Sequence, residues 1–163
     1  MSDSLEDISV SLNQPLYVYR SPMFMLTVSV VLIVENGVIV LKGDNYKFPG
    51  GVVRAHLETI QFSAVRHIKE QTGIVLKKEA LIPVDFRSSP ERSKEGNVVD
   101  IGMLCVLNDL HIDTIPKVGN STWIEVDFED KLMVGKMGEV KPYMDHDVLL
   151  ERAIDIFLMM RED

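Results

Sequence analysis

Residues 48–74 read FPGGVVRAHLETIQFSAVRHIKEQTGI, and this stretch decides how the rest of the chain is interpreted. Its opening Phe-Pro-Gly-Gly is typical of a loop, and Gly73 is a natural C-terminal stop for a helix. Between them, apolar residues recur with helical period. The stretch therefore predicts a glycine loop followed by one acid-bearing helix, which begins at Glu58 or Thr59 and ends at Thr72. The apolar positions with helical spacing are Phe62, Val65 and Ile68.

The charged residues of this stretch resemble the Nudix box, the signature of a superfamily of diphosphate hydrolases. That box runs Gly, five residues, Glu, seven residues, and then Arg-Glu-apolar-any-Glu-Glu-any-Gly-apolar. The spacing from Glu58 to Arg66 fits this pattern. An ordinary loop and amphipathic helix is the alternative, which so many matches at nearly fixed spacing disfavour. The matching positions are Gly51, Glu58, Arg66, Ile68, Glu70, Gly73 and Ile74.

The chain departs from the box in two ways. Six residues rather than five separate Gly51 from Glu58, so the loop has gained one residue. His67 and Gln71 stand where the box has Glu, which leaves Glu70 alone of the three helical acids. The likeness supports common ancestry more strongly than it supports activity.

The resemblance implies a divalent cation, Mg²⁺ or Mn²⁺, held by this helix. Glu70 and Gln71 follow His67 by three and four residues, so the three side chains share a helix face and could converge on one ion. Mg²⁺ prefers oxygen ligands, whereas imidazole tolerates Mn²⁺ or Zn²⁺ better, so weaker or altered metal preference is expected. Arg66 could pair with Glu70 and steady it. The candidate metal ligands are Glu70, His67, Gln71 and Glu58, and the candidate catalytic residues are Glu70, Glu58 and Arg66.

Motifs outside the box resemble the ADP-ribose pyrophosphatase branch and its transcription-regulator relatives. They include residues 89–92, 96–100 and 145–147, and the likeness spans residues 25 to 158. The branch implies a small-molecule ligand, a nucleoside diphosphate linked to another group. Arginine forks suit diphosphate or ribose, although either arginine could equally be a surface charge. The candidate substrate-binding residues are Gly50, Gly51, Arg54 and Arg92.

Three functions are compatible with these residues. The first is a Nudix hydrolase that cleaves the diphosphate with a metal ion and water, and its general base could be Glu91 or Glu95. The second is a nucleotide-sugar sensor or partner-binding module that uses the same cleft without cutting the ligand. The third is a structural dimer. The transcription-regulator relatives carry an extra winged-helix domain, which we do not expect in these 163 residues.

The remaining patterns predict an α/β (α+β) fold, a Nudix-type α/β/α sandwich with a mixed sheet between helices. Asn36-Gly37 predicts a tight turn with positive φ angles. Asp147 to Met160 predicts an amphipathic helix. We expect a segment of residues 1–22 and one domain of residues 23–163. The predicted strands are Leu26–Val34, Val38–Leu41, Leu81–Phe86, Val98–Leu107 and Ser121–Val126.

Composition and charge limit the ligands and the cellular location that are expected for the protein. A net charge of −8 argues against general affinity for nucleic acid, although Arg87, Arg92 and Lys94 form a local basic spot. No apolar stretch is long enough for a membrane helix, and no secretory signal is visible, so a cytoplasmic protein without membrane association is expected. The single Cys105 is interpreted as a buried structural thiol. We expect a homodimer.

Overall fold

The computed structural model describes residues 25–89 and 97–162, which form a mixed sheet between two helices. This confirms the predicted α/β/α architecture. Arg92, Glu91, Glu95 and the segment 1–22 lie outside the described residues. The helices are α1 (Ile60–Thr72) and α2 (His146–Arg161), and the strands are β1 (Met25–Val34), β2 (Gly37–Lys42), β3 (Tyr46–Lys47), β4 (Gly50–Val52), β5 (Ile82–Ser89), β6 (Val98–Val106), β7 (Ser121–Asp127) and β8 (Leu132–Met133). The bounds match the predicted elements to within a few residues, whereas the short strands β3, β4 and β8 were not predicted.

Strand β1 is the centre of the sheet. The strand order is β5-β6-β1-β2-β7-β8, and β1 and β6 run parallel along their whole length, from Met25 beside Val98 to Ile33 beside Val106. The remaining strand pairs are antiparallel. On its other edge, the first half of β1 pairs with β4, which places Gly50 opposite Ser29. The glycine loop is therefore fixed directly to the central strand.

Both faces of β1 are buried, because each is covered by one helix. Val30 and Leu32 point to α1 and pack in a cluster with Ala64 and Ile68. Val31 and Ile33 point to the opposite face and pack with α2. This alternation explains why the strand reads as a continuous apolar run. Burying each such side chain contributes about 1.5–3 kcal/mol. None of the described helices is long and apolar enough to cross a membrane.

The turn between β1 and β2 differs from the sequence prediction in its backbone conformation. The positive φ angle falls on Glu35, at 52°, and not on Asn36 or Gly37. Gly37 is needed for a different reason. A Cβ there would lie 2.3 Å from the carbonyl oxygen of Ile124 and 2.5 Å from the Trp123 ring. The hairpin was predicted correctly, but its glycine provides space for β7 rather than a left-handed turn.

Helix α1 begins and ends as predicted. The Thr59 hydroxyl accepts a hydrogen bond from the Phe62 amide, and Gly73 closes the helix with φ of 78°. Phe62 itself does not face the core, because 58% of it is exposed. The core face instead uses the small residues Ser63 and Ala64 together with Ile68. Small side chains allow the helix to approach the sheet closely, which an apolar-period prediction does not detect.

Cys105 is fully buried, and this burial raises the pKa of its thiol to about 11. The interpretation of a structural rather than a nucleophilic cysteine is therefore confirmed.

Candidate functional site

The glycine loop lies in close contact with β1 on one side and α1 on the other. A Cβ on Gly50 would lie 1.8 Å from the carbonyl oxygen of Val28. A Cβ on Gly51 would lie 2.5 Å from the His67 ring. A side chain at position 50 would clash with the backbone of β1, whereas one at position 51 would require the His67 side chain to move. The paired glycines of the sequence therefore correspond to close approaches on opposite sides of the loop.

Gln71 holds this loop through both polar atoms of its amide. Its Oε1 accepts a hydrogen bond of 2.9 Å from the Gly50 N–H, and its Nε2 donates one of 2.8 Å to the Gly50 carbonyl. The side-chain amide and the Gly50 backbone therefore form a reciprocal pair. We call this pair the amide clasp.

His67 makes a related contact one turn earlier on the same helix. Its Nε2 lies 2.9 Å from the carbonyl oxygen of Val52. A carbonyl only accepts, so Nε2 carries the ring proton and donates it to Val52. The two residues that replace box glutamates thus both donate hydrogen bonds to loop carbonyls.

The retained box residues form a separate ion-pair group. Arg66 donates two hydrogen bonds to the Glu58 carboxylate, at 3.0 Å from Nε and 2.7 Å from Nη2. The Arg54 backbone N–H donates a third, at 3.0 Å. The expected pair between Arg66 and Glu70 is also present, but it is longer, at 3.7 Å, and Glu70 is largely exposed. Glu58 is therefore the main partner of Arg66.

Hydrogen bonds from Arg66, and then from the Arg54 backbone, lower the pKa of Glu58 from 4.5 to about 2. A lowered folded-state pKa stabilises the fold above pH 4.5, and this contribution disappears as pH falls toward 2. We expect Glu58→Gln to destabilise the protein at neutral pH and to approach the wild type in stability across this window. Urea unfolding at a series of pH values measures the difference, with exposed Glu79→Gln as control. If the difference in the free energy of unfolding between the wild type and Glu58→Gln does not change with pH, the lowered pKa of Glu58 is contradicted.

A cavity of about 180 Å³ opens beside the glycine loop. Gly50 and Gly51 form one wall, and Phe48 and Tyr143 contribute aromatic surface. The polar side chains at its base are Thr27, Ser29, Asp100 and His146. Lys47 also lines it, with Nζ 5.5 Å from the centre of the Tyr143 ring. The cavity joins the predicted loop to residues that the sequence did not identify as site residues.

Arg87 is connected to this cavity through Asp100, which lines it, and lies in a buried group of carboxylates. It donates to Asp85 at 3.1 Å, to Asp100 at 2.6 Å, and to Asp145. Burial alone would lower the pKa of Arg87, but the three carboxylates outweigh it and raise the pKa. The sequence analysis placed Arg87 in a local basic spot, whereas the structure places it in β5 with its side chain buried among carboxylates. The sequence did not indicate this role, because β5 was predicted to end at Phe86, one residue before Arg87.

His146 connects this buried group to the glycine loop. Its Nδ1 accepts a 3.0 Å hydrogen bond from the Phe48 N–H, so the ring proton resides on Nε2. That Nε2 lies 3.3 Å from the Ser29 hydroxyl, which donates to Asp100 at 3.0 Å. Burial lowers the pKa of His146 to about 4, so the ring is neutral at physiological pH. His146 is the first residue of α2, and the sequence signal for it was its place in the motif of residues 145–147.

The predicted substrate-binding residues are only partly brought together. Gly50 and Gly51 line the cavity, whereas Arg54 is exposed and uses its backbone, not its described side chain, to contact Glu58. Arg92 lies outside the described residues.

The predicted metal ligands do not form a metal site in this arrangement. Glu58 and Glu70 both pair with Arg66, and the Gln71 oxygen accepts from Gly50. Across residues 25–89 and 97–162, no group of three or more His, Cys, Asp or Glu side chains could hold an ion. The donor set as arranged does not fit Mg²⁺ or Mn²⁺. The role of Glu70, His67, Gln71 and Glu58 as metal ligands stays a prediction.

Comparisons with solved structures identify the fold. A MutT/Nudix family protein from Enterococcus faecalis aligns over 97% of this chain and 75% of its own, with a TM-score of 0.70 and 20% identity. The Nudix domain of Shewanella oneidensis NrtR, solved with ADP-ribose, aligns over 88% and 98%, with a TM-score of 0.64 and 17% identity. A bifunctional NMN adenylyltransferase/ADP-ribose pyrophosphatase from Francisella tularensis, solved with AMP and a manganese ion, aligns over 97% of this chain and 47% of its own (TM-score 0.57, 18% identity).

Sequence comparison gives one further relative. An ADP-ribose pyrophosphatase from Methanocaldococcus jannaschii is 37% identical over 73 residues, and the match covers 41% of each chain. No family model matches. The chain therefore shares the fold of these MutT/Nudix proteins. The chain spans less than half the length of the ADP-ribose pyrophosphatase that it matches in sequence.

Proposed function

We propose that this chain binds a nucleoside diphosphate linked to a second group, of the ADP-ribose kind, in the cavity beside the glycine loop. We further propose that it holds this ligand and does not cleave it rapidly. The proposal that cleavage is slow rests on the positions of the residues that replace box glutamates. His67 and Gln71 face the loop, whereas the remaining acids, Glu58 and Glu70, pair with Arg66.

The ligand class is supported by the shape and chemistry of the cavity. Its aromatic wall suits a flat ring, and the backbone of Gly50 and Gly51 forms another wall. Exposed Arg54 lies at the end of the same loop and has no side-chain partner among the described residues, so it is available to an anionic group. The similarity to an ADP-ribose pyrophosphatase supports the same ligand class.

Hydrolysis is the second candidate, and the Glu58–Arg66–Glu70 group favours it. This group keeps the charge order of the box, and Glu70 remains 58% exposed with one long ion pair. An exposed carboxylate can accept a proton from an attacking water. Water would add to one phosphorus atom and the bridging oxygen would leave, so that ADP-ribose would give AMP and ribose 5-phosphate.

Calorimetric titration with ADP-ribose, followed by measurement of AMP, distinguishes the two candidates. Saturable binding without AMP, in Mg²⁺ and in Mn²⁺, is the expected result. AMP formation that Glu70→Gln lowers by about 10²-fold or more, and Glu79→Gln does not, would establish the hydrolase instead. If neither ADP-ribose nor a panel of dinucleotides binds, the proposed ligand class is wrong.

Restoring both acids is expected to change the activity strongly. We expect the double variant His67→Glu/Gln71→Glu to gain at least about 10²-fold in AMP formation in Mg²⁺, because carboxylates would again face the loop where a cation could bind. His56→Glu, which adds an acid to the exposed part of the loop, is the matched control. A double variant that folds, binds ADP-ribose and stays inactive would show that more than two carboxylates were lost.

The proposal includes a cytoplasmic homodimer that does not bind nucleic acid. The net charge of −8 supports the last point. Light scattering coupled to gel filtration measures the oligomer, and a mass of one chain at micromolar concentration would exclude the dimer.

A further inference from the structure

We infer that Gln71 and His67 hold the glycine loop in place of a divalent cation, so that this cavity is formed in advance and binds its ligand without metal. The inference rests on the proposed function for the identity of the ligand. It concerns how the same site is assembled, and its structural part can be tested without any ligand.

The first step of the argument is the contact between Gln71 and Gly50. The Gln71 Nε2 lies 2.8 Å from the Gly50 carbonyl oxygen. Glutamate, the residue of the Nudix box at this position, would place a carboxylate oxygen there instead. Two oxygen acceptors at that distance repel each other unless a cation or a proton lies between them. The glutamine amide supplies the donor itself, so this junction needs no cation.

The contact of His67 with Val52 gives the same result independently. Its Nε2 lies 2.9 Å from the Val52 carbonyl oxygen, where a glutamate would again oppose oxygen to oxygen. Both departures from the box therefore replace an acceptor by a donor, and each donor meets a different loop carbonyl. Arg66 Nη2 also donates to the Val52 carbonyl, at 3.5 Å, so the amide clasp is the contact that carries the inference. Both loop carbonyls are satisfied by hydrogen bonds from the protein itself.

The reciprocal geometry of the amide clasp makes it specific to an amide side chain. The Gly50 N–H donates to Oε1 while the Gly50 carbonyl accepts from Nε2, so both backbone polar groups of this one residue are paired. A carboxylate could serve only the N–H, and an apolar residue could serve neither. Because Gly50 also pairs with Ser29 on β1, the clasp connects α1 to the central strand through this one residue.

Thermal unfolding in EDTA, Mg²⁺ and Mn²⁺ tests the structural part. We expect the melting temperature of the wild type to be the same in all three. Gln71→Glu is expected to melt about 3–8 °C lower in EDTA, as loss of one or two kcal/mol would produce in a domain of this size, and to recover most of this in Mn²⁺. The control is Gln61→Glu, an exposed residue of the same helix, for which neither effect is expected.

A local measurement separates loss of the clasp from general destabilisation. Hydrogen exchange of the Gly50 amide is expected to quicken at least about tenfold in Gln71→Glu without metal, and in Gln71→Met with or without it, whereas amides of α2 stay protected. If Gln71→Glu does not fold, His67→Glu repeats the test at Val52. Wild-type protein that is stabilised by Mn²⁺, or a Gln71→Glu variant that is unchanged in melting and exchange, would overturn the inference.

The functional part is tested by titrating wild-type protein with ADP-ribose in EDTA and in Mg²⁺. Dissociation constants that agree within about twofold support metal-independent binding, and binding that requires Mg²⁺ overturns it. Absence of ADP-ribose binding in both buffers would refute the proposed ligand. In that case the melting and exchange measurements still decide whether the clasp replaces a cation.

Discussion

Arg87→Met is expected to destabilise the protein by about 3–5 kcal/mol, because it leaves buried carboxylates without their shared cation. The side chains of Arg87 and Asp100 are only 6% and 4% exposed, so water cannot replace the lost partner. Asp85, Asp100 and Asp145 all accept hydrogen bonds from this one guanidinium. Removal of one member of such a group costs far more than removal of a surface pair.

Chemical denaturation at neutral pH measures this effect, and Arg152→Met provides the matched control. Arg152 pairs with the same Asp85 at 2.9 Å, but its side chain is 50% exposed. Its loss is therefore expected to cost below about 1 kcal/mol. Equal costs for the two variants would mean that the buried group contributes no more than a surface ion pair.

Gly50→Ala is expected to destabilise the protein by about 3 kcal/mol or more and to abolish ligand binding. The added Cβ would lie 1.8 Å from the Val28 carbonyl oxygen, and backbone atoms of β1 cannot move aside as a flexible side chain can. The loop must instead separate from β1 and break the amide clasp. Both the cavity wall and its support are then lost together.

The control for this substitution is Gly43→Ala, because the nearest atom to a Cβ there is 3.6 Å away. We expect this control to keep wild-type stability and ligand binding. Denaturation measures the stability, hydrogen exchange of residues 48–53 measures separation of the loop from β1, and calorimetry measures ADP-ribose binding. Retention of ADP-ribose binding by Gly50→Ala, in a wild type that binds it, would contradict the close approach described for the loop.

The elements with strong periodicity could be predicted from the sequence. Residues 26–34 read as a buried strand because both sides of β1 are covered, and Gly73 marked the end of α1 through its need for positive φ. Phe62 has the helical spacing that indicated α1 but is exposed, since α1 approaches the sheet through Ser63 and Ala64. Periodicity identifies a helix more reliably than it identifies its buried face.

The buried group of carboxylates around Arg87 could not be predicted, because its residues come from distant parts of the chain. Asp85, Arg87, Asp100 and Asp145 meet only after β5, β6 and the start of α2 have been placed together, and each is unremarkable in its own segment. The substitutions at residues 67 and 71 were visible in the sequence as missing acids. What they do instead depends on the loop carbonyls that face them, which no linear pattern records.

The parallel pairing of β1 with β6 has a consequence for how this chain is made. During synthesis, residues 25–72 leave the ribosome well before residues 98–106, so β1 can pair with β2 and β4 while its other edge has no partner. That open edge belongs to the most apolar strand of the molecule, and an unpaired apolar edge invites association with other chains. The nascent protein is therefore prone to association with other chains until Val106 has emerged and β6 can pair with β1.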